Sequence, residues 1–350
     1  MKFSLFLHVE RYDESVSHRQ HYEDLLELCD LAEAGGIDKV WVGEHHAMEY
    51  TATPSPLQIL ASVAARTSRI RLGAGTLIAP FWHPLRLAGE AATLDVISNG
   101  RAEIGMARGA YQFEFDRLLN GAPATSGGAY LREQVPAVRA LWQGDYAHQG
   151  EIWQFPVSTS VPKPVQQPTP PMWIAARDPD SHRFAVANGC NVMVTPLAKG
   201  DVEVTDLLGK FDTACAENPE VARPQVMVLQ HAYVASDEAE LRRAAEGISY
   251  FYRSFGQWFA NRQPPVNGFQ AAMPPLDMEK FAEFAPDAIR ANTLIGTAED
   301  VIARLRAYEA LGVDEYSVWV DSSLSFADKK ANVQRWIAEI LPAFAREIAA

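Results

Sequence analysis

The chain has 350 residues, 48% of them apolar, enough for a core of the size that α/β barrels reach. Lys and Arg total 31 against 44 Asp and Glu, and the net charge of −13 opposes phosphate backbones and excludes nucleic acid as a natural partner. Cys29, Cys190 and Cys215 are isolated, no apolar run reaches membrane-span length, and MKFSLFLHVE meets charge too soon for a signal peptide. These features predict a reduced, cytoplasmic protein with no membrane segment and no disulfide framework.

The elements alternate along the chain. A short apolar strand at 2–7 precedes a helix at 22–36, whose Leu and Ala recur at helical spacing and which ends in a Gly pair suited to a C-cap. A strand at 39–44 and a helix at 55–67 follow, then a strand at 69–78, a helix at 85–98 and a strand at 101–107. A helix at 132–142 leads into a Pro-rich loop at 156–171. Strands follow at 172–176, 191–195 and 226–234, with a helix ending at 184–189 between the first two. An aromatic, helix-rich segment spans 237–291, and the chain closes with a helix at 298–311, a strand at 315–320 and a helix at 329–348. Eight strands separated by helices predict parallel βαβ units. No Gly-rich dinucleotide loop follows the first strand, so a closed (β/α)8 TIM barrel fits better than an open sheet. One barrel domain over 1–350 is expected, with insertions around 145–171 and 237–291, of which the Pro-rich loop and the stretch near 261–275 are candidate lids.

Barrel chemistry gathers at the C-terminal strand ends, and polar residues fall there. Glu44, His45 and His46 follow the second strand. Adjacent histidines on a strand face opposite ways and no spaced partner is nearby, so a metal pair, and with it a metal-dependent hydrolase, is the weaker reading beside strand-end capping or proton transfer. The Gly-rich run at 72–76 lacks the Lys of a phosphate loop; its small residues suit either interior packing or close approach of a flat ring. Arg108 follows the fourth strand and is a candidate for phosphate or for a salt bridge. Asp178-Pro179-Asp180-Ser181 opens a helix after the fifth, where Asp178 is an N-cap or part of an anion site. Phe6, Trp82, Tyr111, Phe113 and Trp319 lie near strand ends and are candidates for an apolar substrate pocket. The aromatic stretch SYFYRSFGQWF reads as a packing helix or subunit contact.

Four motifs in order, WVGEHH, the run from LGAGTLIAPFWHP through ISNGRAEIGMARGAY, MWIAARDPDS and IGTAEDVIARL, resemble the bacterial luciferase-like flavin monooxygenase family. The resemblance implies a TIM barrel that takes reduced FMN (FMNH2) from a separate NAD(P)H-dependent flavin reductase. It implies that O2 then gives a flavin hydroperoxide that oxidises a small organic substrate. It places the catalytic acid-base residue at His45 and a non-prolyl cis peptide at Gly75–Thr76, under the flavin ring. It places phosphate contacts at Arg108 and in the loop from Arg177 and Asp178 to Ser181, and it implies a homodimer. Within the family, a deazaflavin-dependent hydride-transfer oxidoreductase is the alternative, and a non-catalytic flavin-binding partner subunit is another.

Overall fold

The computed structural model describes residues 1–273 and 281–345. Its strands are β1 (Lys2–Leu7), β2 (Lys39–Val42), β3 (Arg71–Ile78), β4 (Ala102–Ala107), β5 (Tyr146–Gln149), β6 (Gln154–Ser158), β7 (Met172–Ala175), β8 (Asn191–Val194), β9 (Val226–Val234), β10 (Leu294–Gly296) and β11 (Glu315–Trp319). Strands β1, β2, β3, β4, β7, β8, β9 and β11 pair in parallel in that order, and β11 returns to β1, closing an eight-stranded barrel. Helices fill the crossovers, so the TIM-barrel expectation holds. Strand β10 extends the sheet alongside the end of β9, and β5 and β6 form a separate antiparallel hairpin.

Local chemistry sets the helix ends. Ser17 accepts a hydrogen bond from the Gln20 amide at the start of helix His18–Gly35, and Gly36 closes that helix at φ 86°, a left-handed conformation that favours glycine. Helices Pro56–Ala64, Pro84–Ile97 and Pro179–Ala187 begin on proline, whose missing amide hydrogen is not needed there. Thr297 and Asp300 form a reciprocal capping box on helix Ala298–Ala310.

The barrel interior is filled from its N-terminal end. Lys39 donates to Glu103 at 2.6 Å and to Glu315 at 2.9 Å, Arg71 also pairs with Glu103, and the indoles of Trp41 and Trp173 donate to Glu315 and Glu103 at 2.9 and 2.6 Å. Burial disfavours the Lys39 charge, yet the two carboxylates hold its pKa above the ordinary lysine value. Above this floor the two indoles meet edge to face at 5.5 Å. A Cβ on Gly73 would enter the Trp41 ring, and one on Gly75 would lie 3.0 Å from it. The Gly-rich run is therefore needed, at least at Gly73, to admit a tryptophan into the barrel.

Four details differ from the sequence reading. The insertion at 145–171 carries the β5–β6 hairpin, in which Tyr146 pairs with Ser158, His148 with Phe155 and Gln149 with Gln154 across a short turn. The Pro-rich loop is not a lid: Gln166 bonds to the Ala102 carbonyl at 2.8 Å and to Asp95 at 2.6 Å, which fastens the loop at the N-terminal end of β4, away from the mouth. An 18-residue helix, Gly200–Glu217, fills the crossover between β8 and β9, which the sequence reading left blank. The last long helix starts earlier than expected, at Phe326, and the expected positions 346–348, like lid positions 274–275, lie outside the described residues.

Candidate functional site

The C-terminal strand ends form a mouth with two unlike sides. On the side of β3, β4 and β7 the rim residues are small and reach solvent: Thr76 and Ala107 are half-buried and Ala175 is exposed. The Gly75–Thr76 peptide is cis, and the β3–β4 register shifts around it. On the side of β1, β2, β9 and β11 stand bulky rings. Phe6 and Trp319 meet at 5.0 Å, and His231 stacks on Trp319 at 4.4 Å and 14°. Helix Glu238–Ala260 lays Phe251 over them, 4.4 Å from His231 and 5.0 Å from Trp319. The aromatic stretch that reads as a packing helix therefore packs on the mouth itself.

His45 and His46 part because two buried carboxylates pull them apart. Strand β2 ends at Val42, so strand alternation does not reach them. The Glu114 side chain is fully buried; both its oxygens lie 3.3 Å from His45 Nδ1, and it accepts the His46 amide at 2.8 Å. A carboxylate on Nδ1 favours the tautomer with its proton there, leaving Nε2 as an acceptor. The His45 ring faces Tyr111 at 5.0 Å and His8 at 5.4 Å, within the mouth. His46 Nε2 instead meets Glu44 at 2.7 Å. Burial lowers the His46 pKa, but the hydrogen bond and charge of Glu44 outweigh it and raise the value above the ordinary one. Glu44 also accepts the Ile78 amide at 2.7 Å and the Trp82 indole at 2.9 Å, tying the β2 loop to the end of β3.

Phe6, Tyr111, Phe113 and Trp319 share one buried cluster at the mouth and barrel interior. Trp82 does not join it; its ring packs into the core between barrel and helices and stands behind Glu44.

The rim after β4 and β7 carries the charged candidates. Arg108 is exposed, and among the described residues its guanidinium has no hydrogen-bond or ion-pair partner. Asp178 caps helix Pro179–Ala187, accepting the Ser181 amide at 2.9 Å. Burial raises the Asp178 carboxyl, but hydrogen bonds from Ser181 and, least of all, the charge of Arg108 bring it below its usual range. Met106 on β4 pairs with Ile174 on β7, so Arg108 leaves its strand alongside the one that leads into this helix. The Ser181 hydroxyl donates to the Asp178 carbonyl at 2.8 Å and accepts the Arg177 amide at 3.1 Å. The Arg177 side chain points to the neighbouring β8 loop, bonding the Thr195 carbonyl at 2.7 Å and pairing with Glu203. Arg108 is thus the uncommitted cation of this rim.

Sequence reasoning missed Glu114, His8 and His231. A signal existed for the two histidines: each is a lone imidazole in or just after an apolar strand, in KFSLFLH and VMVLQHAYV. Glu114 lies in a short helix, Gln112–Leu118, and its burial depends on the His45 loop folding against it.

The luciferase-like monooxygenase family matches residues 1–315. The chain is 51% identical over 344 residues to the oxygenase component of the flavin-dependent trigonelline monooxygenase of Acinetobacter baylyi, covering 98% of this chain and 96% of that one. Among solved structures, the monooxygenase RslO1 of Streptomyces bottropensis superposes with a TM-score of 0.82 at 28% identity, over 99% of this chain and 100% of that one. The oxygenating constituent of 3,6-diketocamphane monooxygenase of Pseudomonas putida, solved with FMN, shares the fold with a TM-score of 0.77 at 18% identity, over 98% of each chain.

Proposed function

The chain belongs to the luciferase-like monooxygenase family, and we propose that it is the oxygenase half of a two-component system. In this reading it receives reduced FMN from a separate NAD(P)H-dependent reductase and oxidises trigonelline or a similar N-methylpyridinium carboxylate with O2. The observation that carries the reading is the 51% identity along nearly the whole of both chains to a trigonelline monooxygenase oxygenase component.

The residues present fit a flavin nucleotide. Arg108 is a guanidinium without a partner among the described residues, at the end of the strand that neighbours β7 and the helix N-terminus after it, an arrangement that can hold a phosphate. The small rim residues Thr76, Ala107 and Ala175, with Gly75 beneath, leave a low shelf on which a flat ring can lie. Bound reduced FMN would supply the activation of O2 and the transfer of one oxygen atom. Arg108 and the 178–181 turn would fix the phosphate end. His45, held by Glu114 through Nδ1, would accept or return a proton at Nε2, facing the shelf from the β2 side. The helix Glu238–Ala260 would keep water from the aromatic side. The segment after it lies across the mouth loops, the Glu49 amide donating to the Gly268 carbonyl at 2.8 Å, and is the candidate lid.

A reductase-coupled assay tests this. Trigonelline should disappear only when protein, FMN, NADH, a flavin reductase and O2 are all present. Unchanged consumption without O2, with a reduced deazaflavin in place of FMN, would favour hydride transfer and contradict the proposal.

A further inference from the structure

The aromatic side of the mouth contains buried polar groups that make no well-formed hydrogen bond among the described residues. His231 is wholly buried on β9; among the described residues no well-formed hydrogen bond reaches its ring nitrogens, although the Asp321 backbone lies close to the ring. His8, just past β1, has an unpartnered, buried Nδ1. The Tyr50 hydroxyl is buried and makes no well-formed hydrogen bond among the described residues, although the Tyr111 side chain lies close to it. These groups border one another through shared neighbours. His8 and His231 flank Trp319 at 5.1 and 4.4 Å, and Tyr50 and His231 flank Phe251 at 5.3 and 4.4 Å. Buried polar atoms are nearly always paired, so three orphaned side chains around one aromatic wall require an explanation.

We propose that His231 and His8 are the specificity-determining residues that read the anionic substituent of a flat, cationic heteroaromatic substrate, whose ring is held by the aromatic faces around them. This rests on the substrate reading given above. Burial drives the His231 pKa down to about 3, against a smaller upward pull from the Asp321 backbone, and burial with the charges of His45 and His231 puts His8 well below its ordinary value. Both rings are therefore neutral near pH 7. A neutral imidazole carries one N–H in either tautomer, and a carboxylate accepts from more than one donor at once. The π faces of Trp319, Phe251 and Tyr111 attract a ring bearing a fixed positive charge. Around the barrel, β9, β11 and β1 stand opposite β4 and β7, so an anion read here is kept apart from one held at Arg108. A pyridinium carboxylate supplies both features, and its carboxylate would give these groups a well-formed partner.

Equilibrium binding to the purified protein, followed by tryptophan fluorescence and by calorimetry, tests this with two probes. Trigonelline carries the cationic ring and the carboxylate; N-methylpyridinium carries the ring alone. The parent protein should prefer trigonelline. His231→Phe should weaken trigonelline binding by about 10- to 150-fold, the usual worth of a hydrogen bond to a charged group, and N-methylpyridinium binding by less than about 3-fold. His231→Gln, which keeps a donor, should recover part of the loss, and His8→Phe should show the same selective pattern. Retained N-methylpyridinium binding certifies that each variant has kept its fold. Equal losses for both probes, or an undiminished preference for trigonelline in both phenylalanine variants, would overturn the assignment. A parent protein without any preference would overturn the substrate reading itself, which is a different result.

Discussion

At the scale of single residues, adjacent histidines divide the work because each has its own buried carboxylate. His45 rests on Glu114 and faces the mouth, whereas His46 and Glu44 tie loops together. His45→Asn should therefore leave folding and FMN affinity nearly intact and slow product formation by about 10²–10⁴-fold, the range for a positioned acid-base group. His46→Asn should instead lower the melting temperature with a smaller effect on turnover. Normal coupled turnover in the His45 variant would remove it from the mechanism. Arg108→Ala should weaken FMN binding by about 1.5–3 kcal/mol and leave riboflavin binding unchanged, measured by flavin fluorescence titration. Equal affinity of the parent protein for FMN and riboflavin would contradict the phosphate assignment. The position of Arg108 and His45 at the mouth was legible in the sequence, because strand ends in a barrel mark it. The partner of His45 was not: Glu114 is far along the chain, and only the closed barrel brings it under that ring.

At the scale of elements, helix Glu238–Ala260 shapes the mouth and is anchored from outside. Arg335 holds Glu240 through both oxygens at 2.7 and 2.9 Å, and Glu240 also accepts the Ser236 amide at 2.8 Å. The Arg335 hydrogen bond is the largest influence; burial opposes it, yet the Glu240 carboxyl falls from 4.5 to about 2. A depressed folded pKa means stability that is present above the unfolded value and is lost as pH falls toward the folded one. Glu240→Gln should thus lower the melting temperature at pH 7, and the gap to the parent protein should close between about pH 4.5 and pH 2. A gap that stays constant with pH would show that the pair adds nothing through charge. The sequence points to this helix-rich segment, but its aromatic stretch reads as a packing helix or subunit contact. Its aromatic residues look the same whether they bury against helices or wall a chamber; which occurs is decided by where the crossover lands. Strand β3 is the opposite case. The Gly-rich run announced that something large must come close, and Trp41 is at least part of it.

At the scale of the whole molecule, closure of the barrel depends on a charged floor buried among apolar strands. Removing one member leaves charges without partners, so Lys39→Met should destabilise the protein by about 3–5 kcal/mol in denaturant unfolding. A loss below about 1 kcal/mol would mean that Glu103 and Glu315 take up protons without penalty once Lys39 is gone. The eight barrel strands were readable because each is a short apolar run between helices, a local pattern. The hairpin at β5 and β6 and the resting place of the Pro-rich loop were not, since the loop is fixed by Asp95 and Ala102, distant in sequence. The two-sided mouth likewise emerges only when strand order is closed.

The most direct measurement of the central claim is isotopic. Protein loaded with reduced FMN and trigonelline is mixed with ¹⁸O₂, and the product is weighed by mass spectrometry. One ¹⁸O atom is expected in the oxidised product for each substrate consumed, with little hydrogen peroxide released. Unlabelled product, or flavin reoxidation that yields only peroxide while trigonelline is recovered intact, would contradict it.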